Sequence, residues 1–230
     1  MAPRKTAELS IRAARTTPVR KRSGASDSTP PAGTPSRERI HRAALMRFAR
    51  YGYDAVSLQD IADDVGLHKS SLFHHYSSKA VLLRAVLREV IQGILDHVRQ
   101  LAADEPPTAE RILRVFHALA EHFCDQPDAA RLLLAVMTAP DDSELQRQAP
   151  DAAEFYVTVA HYLDRARRTG VVGRVPIRQA IPNLVGLVLV YPAVAHQLAA
   201  LIGSEPFSSR ARAARREDLE RALRSLLKLE

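Results

Sequence analysis

The 230-residue sequence has a single cysteine, Cys124, and no tryptophan. One thiol excludes an internal disulfide and any metal site built on paired cysteines, and it is consistent with a reducing cytoplasm. Acidic side chains are scarce at one end. The first 35 residues carry Arg4, Lys5, Arg12, Arg15, Arg20, Lys21 and Arg22 against only Glu8 and Asp27. That leader lacks the uninterrupted apolar core expected of a secretory signal, although its Arg-rich, acid-poor character leaves an organelle transit peptide as an alternative. Its Pro, Ser and Gly content favours a disordered segment, either a solvated leader or a basic arm that holds phosphates. No stretch alternates convincingly as a strand and no internal repeat is evident, so the pattern is that of an all-helical chain.

What is present is a formal charge of +7 and a pI near 9.9, most of the excess lying in the leader, over a composition that is 46 % hydrophobic and 26 % charged. This balance belongs to a globular protein, and the length accommodates a small domain followed by a larger one. The leader is expected over residues 1–33, where Asp27 to Gly33 is too rich in Pro, Ser and Gly to sustain regular structure. A first domain is expected over 34–94 and a second over 95–230.

Thr34-Pro35 offers an N-cap with Pro at the first helical position, and Ile40, Ala44, Leu45 and Phe48 recur at helical spacing until Gly52, which predicts a helix over about 35 to 51. Ser57-Leu58-Gln59-Asp60 reads as a capping box that starts a second helix. Its apolar face, Leu58, Ile61, Ala62 and Val65, ends at Gly66. A third short helix over about 68 to 75 buries Leu72 and Tyr76. Ser77-Ser78 then caps a long fourth helix, with Leu83, Leu87, Val90, Ile94, Val98 and Leu101 as its stripe up to Pro106-Pro107. Further helices are expected at about 108 to 124, 127 to 138, 150 to 169, 178 to 202 and 209 to 229.

Two short helices joined by a Gly-containing turn form a helix-turn-helix, whose second helix is narrow enough to enter a DNA major groove. The polar groups that a short helix packed through Leu72 can turn toward DNA are Lys69, Ser70, Ser71, His74 and His75. Lys69 can donate to guanine O6 and N7 or to phosphate, while Ser and His meet base edges or backbone. Ser57 and Gln59 open the second helix, where exposed N–H groups and the dipole suit a phosphate oxygen, and Lys79 does the same at the fourth.

The ordered set Ile40, Ala44, Leu45, Phe48, Gly52, Tyr53, Ser57, Leu58, Ile61, Ala62, Gly66, Leu67, Lys69, Leu72, Phe73, Tyr76, Lys79 and Leu83 resembles the DNA-binding domain of the tetracycline-repressor (TetR) family over about a fifth of the chain. Phe73 departs from the pattern. The family usually carries Tyr there, so a phosphate hydrogen bond from that hydroxyl is lost and the ring contact remains. The resemblance implies a homodimer whose two third helices enter successive major grooves of a double-stranded operator. It also implies a helical second domain that dimerises and binds a small-molecule effector.

In that second domain Phe116, Phe123, Met137 and Phe155, with Tyr156, Tyr162 and Tyr191, are the candidates to enclose a pocket for a small, largely apolar effector, and plain core is the alternative for each. No charged side chain lies between Arg178 and Glu205, and Leu184 to Val190 could pass for part of a membrane span. Asn183, Pro192, His196 and Gln197 interrupt it, and burial by a partner chain fits better. Leu184, Leu187, Val188 and Tyr191, with Leu219, Leu223 and Leu226 of the last helix, are therefore the expected dimer interface. No cofactor and no metal is expected: His117 and His122 lack i, i+4 spacing, and His74 and His75 point apart. An enzyme would have to enlist His41, His161, Asp63-Asp64 or Asp141-Asp142, which nothing organises into a site. An architectural DNA protein using the basic leader is the other alternative to a repressor.

Overall fold

The computed structural model describes residues 37–102, 106–149, 153–203 and 205–229. The leader at 1–33, the Thr34-Pro35 cap and the side chain of Leu101 lie outside the described residues. Eleven helices are present among those described: α1 (Arg37–Tyr51), α2 (Leu58–Val65), α3 (Lys69–His75), α4 (Lys79–Ala102), α5 (Ala109–Asp125), α6 (Pro127–Thr138), α7 (Glu144–Gln148), α8 (Ala153–Arg168), α9 (Ile177–Val194), α10 (Ala199–Ile202) and α11 (Ser209–Leu227). There are no strands among the described residues. The all-α architecture expected from the sequence is the one observed.

Local chemistry accounts for the first turns. Ser57 accepts the Asp60 N–H while the Asp60 carboxylate accepts the Ser57 N–H, so the capping box at α2 is complete. Gly66 ends the helix with φ +71, a left-handed conformation that costs glycine nothing, and the Leu67 N–H reaches back to the Ala62 carbonyl at 2.8 Å. Ser78 caps α4 by accepting the Val81 N–H.

α1, α2, α3 and the first half of α4 enclose a core of Ile40, Phe48, Ile61, Leu72 and Leu83, and that core continues into α6 through Leu132 and Val136. Leu145 and Ala149, at the short α7, pack against the same cluster. The expected boundary at 94/95 thus falls within the unbroken α4, and residues 34–230 form one compact unit. Two further clusters follow. One joins the second half of α4 to α5, α6 and α9, and the other joins α5, α8, α9 and α11.

Two expectations are corrected. α7 was not foreseen, because five residues carry too little periodicity to register. The helix expected to run unbroken from 178 to 202 stops at Val194 and resumes as α10 after a turn at 195–198. Pro192 lies near that stop. Its ring removes the donor a helix interior needs, although Pro182 and Pro192 are both tolerated within α9. α9 is apolar enough by composition to cross a membrane, with a mean hydropathy of 1.4 over 18 residues. Its Ile181, Leu184, Val188 and Leu189 nevertheless belong to the chain's own core.

A buried histidine ties three helices of the first core together. His41 on α1 contacts the Glu89 carboxylate of α4 through Nδ1, and its Nε2 lies 2.5 Å from the Tyr76 hydroxyl at the end of α3. A carboxylate can only accept, so Nδ1 carries the proton it donates to Glu89, and Nε2 shares a hydrogen bond with the phenol. Tyr76→Phe keeps the ring and removes this bond, leaving the buried Nε2 without its partner. The expected loss is about 1–3 kcal/mol in urea denaturation with an unchanged m-value, and a loss under about 0.5 kcal/mol would show that the bond does not stabilise the fold.

Candidate DNA-binding face and apolar cavity

α3 is held by a single fully buried residue, Leu72, with Tyr76 buried just beyond its end. At 100° per residue this leaves the opposite side of the helix to solvent. Lys69, Ser70, Phe73, His74 and His75 are all exposed, and Ser71 is half-buried at the edge. Phe73 is 42 % exposed, an unusual position for an aromatic ring, and the Lys69 ammonium lies 5.7 Å from its centroid. The pair forms one cationic and apolar knob with no acidic neighbour on α3.

Two acidic residues of α2, Asp60 and Asp64, are engaged by partners on α1 and at the α2 cap. Arg47 donates twice to Asp64, at 2.6 Å each, and holds that carboxyl below the usual carboxylate range. Asp60 is held low by the hydroxyl and N–H of Ser57. Both carboxylates therefore stay ionised but directed to partners in the chain.

Two residues expected on phosphate are engaged internally instead. Ser57 donates both its N–H and its hydroxyl to Asp60, at 2.8 and 2.7 Å, so its donors serve the cap. Lys79 donates to the carbonyls of Tyr53 and Asp54, at 2.8 and 3.4 Å, and sits 4.1 Å from the Tyr53 ring centroid. Its role is to pin the α1–α2 loop. Gln59 stays exposed at the start of α2 and donates to Asp63 one turn on.

The second feature is a cavity of about 520 Å³ between α4, α5, α6, α8 and α9. Of the seven expected pocket residues, Phe116, Phe123, Met137, Phe155, Tyr156 and Tyr162 line it. Tyr191 does not: its hydroxyl donates to the Pro206 carbonyl at 2.9 Å and its ring faces the Arg215 guanidinium. On α9 the cavity wall is formed by Ile181, Leu184, Val185, Val188 and Leu189, and Tyr191 is turned to Pro206 and Arg215 instead. The aliphatic wall of α4, from Leu87 through Ile91 and Ile94 to Val98, was legible only as a core stripe. Core and cavity lining share one apolar signal, so the spacing could not separate them.

The expected interface needs the same correction. Leu184, Val188, Leu219 and Leu223 are at most 3 % exposed within one chain, so they have no surface left for a partner. They pack into the chain's own clusters because α9 and α11 each bury one side against α5. Leu187, Tyr191 and Leu226 keep partial exposure, and Val190 on α9 is 46 % exposed.

The remaining histidine and acidic candidates are dispersed. His117 is buried beside α11, where burial and then the nearby Arg216 push its pKa down. His122 faces the ring of His97 on α4. His161 and the Asp141-Asp142 turn are exposed.

Residues 40–86 match the family of bacterial regulatory proteins described as the tetR family. Among curated relatives, the chain is 27 % identical over 113 residues to the uncharacterized HTH-type transcriptional regulator YerO of Bacillus subtilis (strain 168), covering 48 % of this chain and 39 % of the relative. It is 29 % identical over 93 residues to the HTH-type transcriptional repressor KstR2 of Mycolicibacterium smegmatis, covering 40 % of this chain and 45 % of that one. The matches thus span less than half of these relatives. A solved structure, the TetR family transcriptional regulator PfmR from Thermus thermophilus, superimposes with a TM-score of 0.63 at 21 % identity, over 86 % of this chain and 98 % of the other, and shares its fold. Residues 40–86 thus form a helix-turn-helix of the tetR family of bacterial regulatory proteins, within a chain whose described residues share the fold of the solved structure.

Proposed function

We propose that this protein is a sequence-specific DNA-binding transcriptional regulator. It acts in the cytoplasm as a homodimer on a double-stranded operator, represses there, and is released by a small, largely apolar effector. The observation that carries the proposal is the solvent face of α3, where Lys69, Ser70, Phe73, His74 and His75 project while Leu72 anchors the helix. A rod of seven residues held by one buried leucine and a tyrosine at its end fits a major groove without moving the core behind it. That the relative from Mycolicibacterium smegmatis is a repressor favours repression over activation.

The cavity supports the effector half of the proposal. Leu87 and Val136 line it and are also members of the core that holds α3. Ala149, another lining residue, packs against the same core. A ligand that moves this shared wall therefore moves the support of the recognition helix, and by linkage DNA must oppose the ligand by the same factor. Two such helices in a dimer must present themselves about one DNA turn, ~34 Å, apart, so a small change in their spacing suffices.

Selection of fragments bound from genomic DNA is expected to return one conserved palindromic site. At that site Lys69→Ala should lower affinity by about 1–3 kcal/mol, roughly five- to 150-fold, and flatten the preference over unrelated duplexes. Equal binding of every duplex by the unaltered protein would refute the proposal in favour of architectural binding with little sequence preference.

Val190→Asp places a charge on the exposed side of α9 outside the core, and Leu187→Asp places one at a half-buried residue that packs against the cluster with α11. Either is expected to give a monomer in light scattering and to lose operator binding, since obligate interfaces exclude unpaired charge. A variant that stays dimeric would show that α9 is not at the interface.

A further inference from the structure

None of the 24 described residues lining the cavity is charged, and among them only Gln146, Tyr156 and Tyr162 carry polar side chains. An ion placed in such a site loses its hydration and meets no opposite charge among the lining side chains, the Arg111 and Arg165 guanidiniums lying near Tyr162 without lining the cavity, so the wall selects against ionised ligands.

The cavity runs along α4, whose lining residues extend from Leu87 to Val98, about 16 Å at 1.5 Å per residue. One end is bounded by Leu87, Val136, Ala149 and Gln146 beside the DNA-binding core. Ile112, Leu163, Ile181 and Tyr162, which line the cavity as well, belong to the cluster of α5, α8, α9 and α11.

The polar groups at the two regions differ. Gln146 already donates its amide to the Val136 carbonyl at 2.6 Å. The Tyr162 hydroxyl is buried and finds no hydrogen-bond partner among the described residues. A buried phenol without a partner costs free energy unless something else satisfies it. Burial also raises its pKa, so it remains a neutral donor near pH 7. Its ring is held in place by the packing of α8 and by the Arg165 guanidinium 5.7 Å from its centroid.

From this geometry we infer that the effector is an uncharged, elongated, apolar molecule bearing one hydroxyl or carbonyl oxygen, and that Tyr162 is the residue that selects for that oxygen by hydrogen bonding to it. The inference rests on the cavity being the effector site. The apolar body lies along Ile91, Ile94 and Val98 toward Leu87, and the polar end lies at Tyr162.

The test uses the full-length protein and the neutral fluorescent probe N-phenyl-1-naphthylamine, displaced by three ligands of matched length: decan-1-ol, decanoate and decane. Decan-1-ol is expected to displace the probe at least tenfold more effectively than decanoate. Tyr162→Phe should weaken the alcohol about three- to tenfold, the equivalent of one neutral hydrogen bond, and leave decane unchanged. Thermal denaturation of the variant monitors its fold. Tighter binding of decanoate would overturn the inference by showing that a charged group is reached, and an alcohol affinity indifferent to Tyr162→Phe would overturn the role of the hydroxyl. In both cases the bound probe would still uphold the cavity as a ligand site. Failure of the probe to bind at all would overturn the inference together with the effector site on which it rests.

Discussion

Leu132 and Val136, one turn apart on α6, lie in the same apolar cluster as Ile61 and Leu72, while Ala129, Ala130 and Leu133 of the same helix belong to the cluster of α4, α5 and α9. A helix buried on two sides cannot slide along one neighbour without disturbing the other, because protein interiors are packed too densely to absorb the shift. Each leucine or valine so buried contributes about 1.5–3 kcal/mol relative to exposure. The position of α1 and α3 is therefore set partly by what α6 meets on its far side.

A cavity of this size persists because the surrounding helices are fixed from outside. Arg212 of α11 bridges Glu121 and Asp125 of α5, at 3.0 and 2.7 Å. Arg131 of α6 joins Asp128 to the Ala193 carbonyl of α9, and Arg84 of α4 donates to Gln148 of α7 at 2.7 Å. These ties lie at helix ends and edges, where partial exposure makes each one modest in energy. Their geometry matters more. They tie α11 to α5, α6 to α9 and α4 to α7, and aliphatic side chains of fixed length leave the interior between these helices unfilled. Unfilled apolar volume lowers stability, since the lining atoms lack partners on one side. Keeping it is consistent with a site whose occupant supplies those contacts.

Tyr162→Phe and Lys69→Ala probe positions whose visibility in the sequence differed. The helix-turn-helix could be read almost residue by residue, because each of its signals is local: a capping Ser57, a stop at Gly66, and an apolar i, i+3, i+4 face closed within eight residues. Exposure on α3 followed from Leu72 alone. The internal engagement of Lys79 was not legible, since its partners are carbonyls 25 and 26 residues earlier, brought near by the fold. Position on α9 and α11 was harder still. Their leucine stripes announce burial but not by which chain, and Leu184, Val188, Leu219 and Leu223 proved to be buried by their own. The pocket was partly legible through its aromatics, whereas the aliphatic residues of α4 that form its long wall are indistinguishable from core until the space beside them is seen.

The arrangement places a condition on any effector. A ligand that merely fills space stabilises the DNA-competent arrangement and its alternative alike, and a molecule with equal affinity for both shifts neither. Differential affinity must arise where the two arrangements differ in shape, and the part of the wall shared with the core that holds α3 is the one made by Leu87, Val136 and Ala149. The region around Tyr162, Ile112 and Ile181 belongs to the cluster with α11, so it is suited to set which molecule binds. On the proposed function, recognition and response are separated along the length of α4, with the polar end of the effector conferring selectivity and its reach toward α6 determining whether DNA is released.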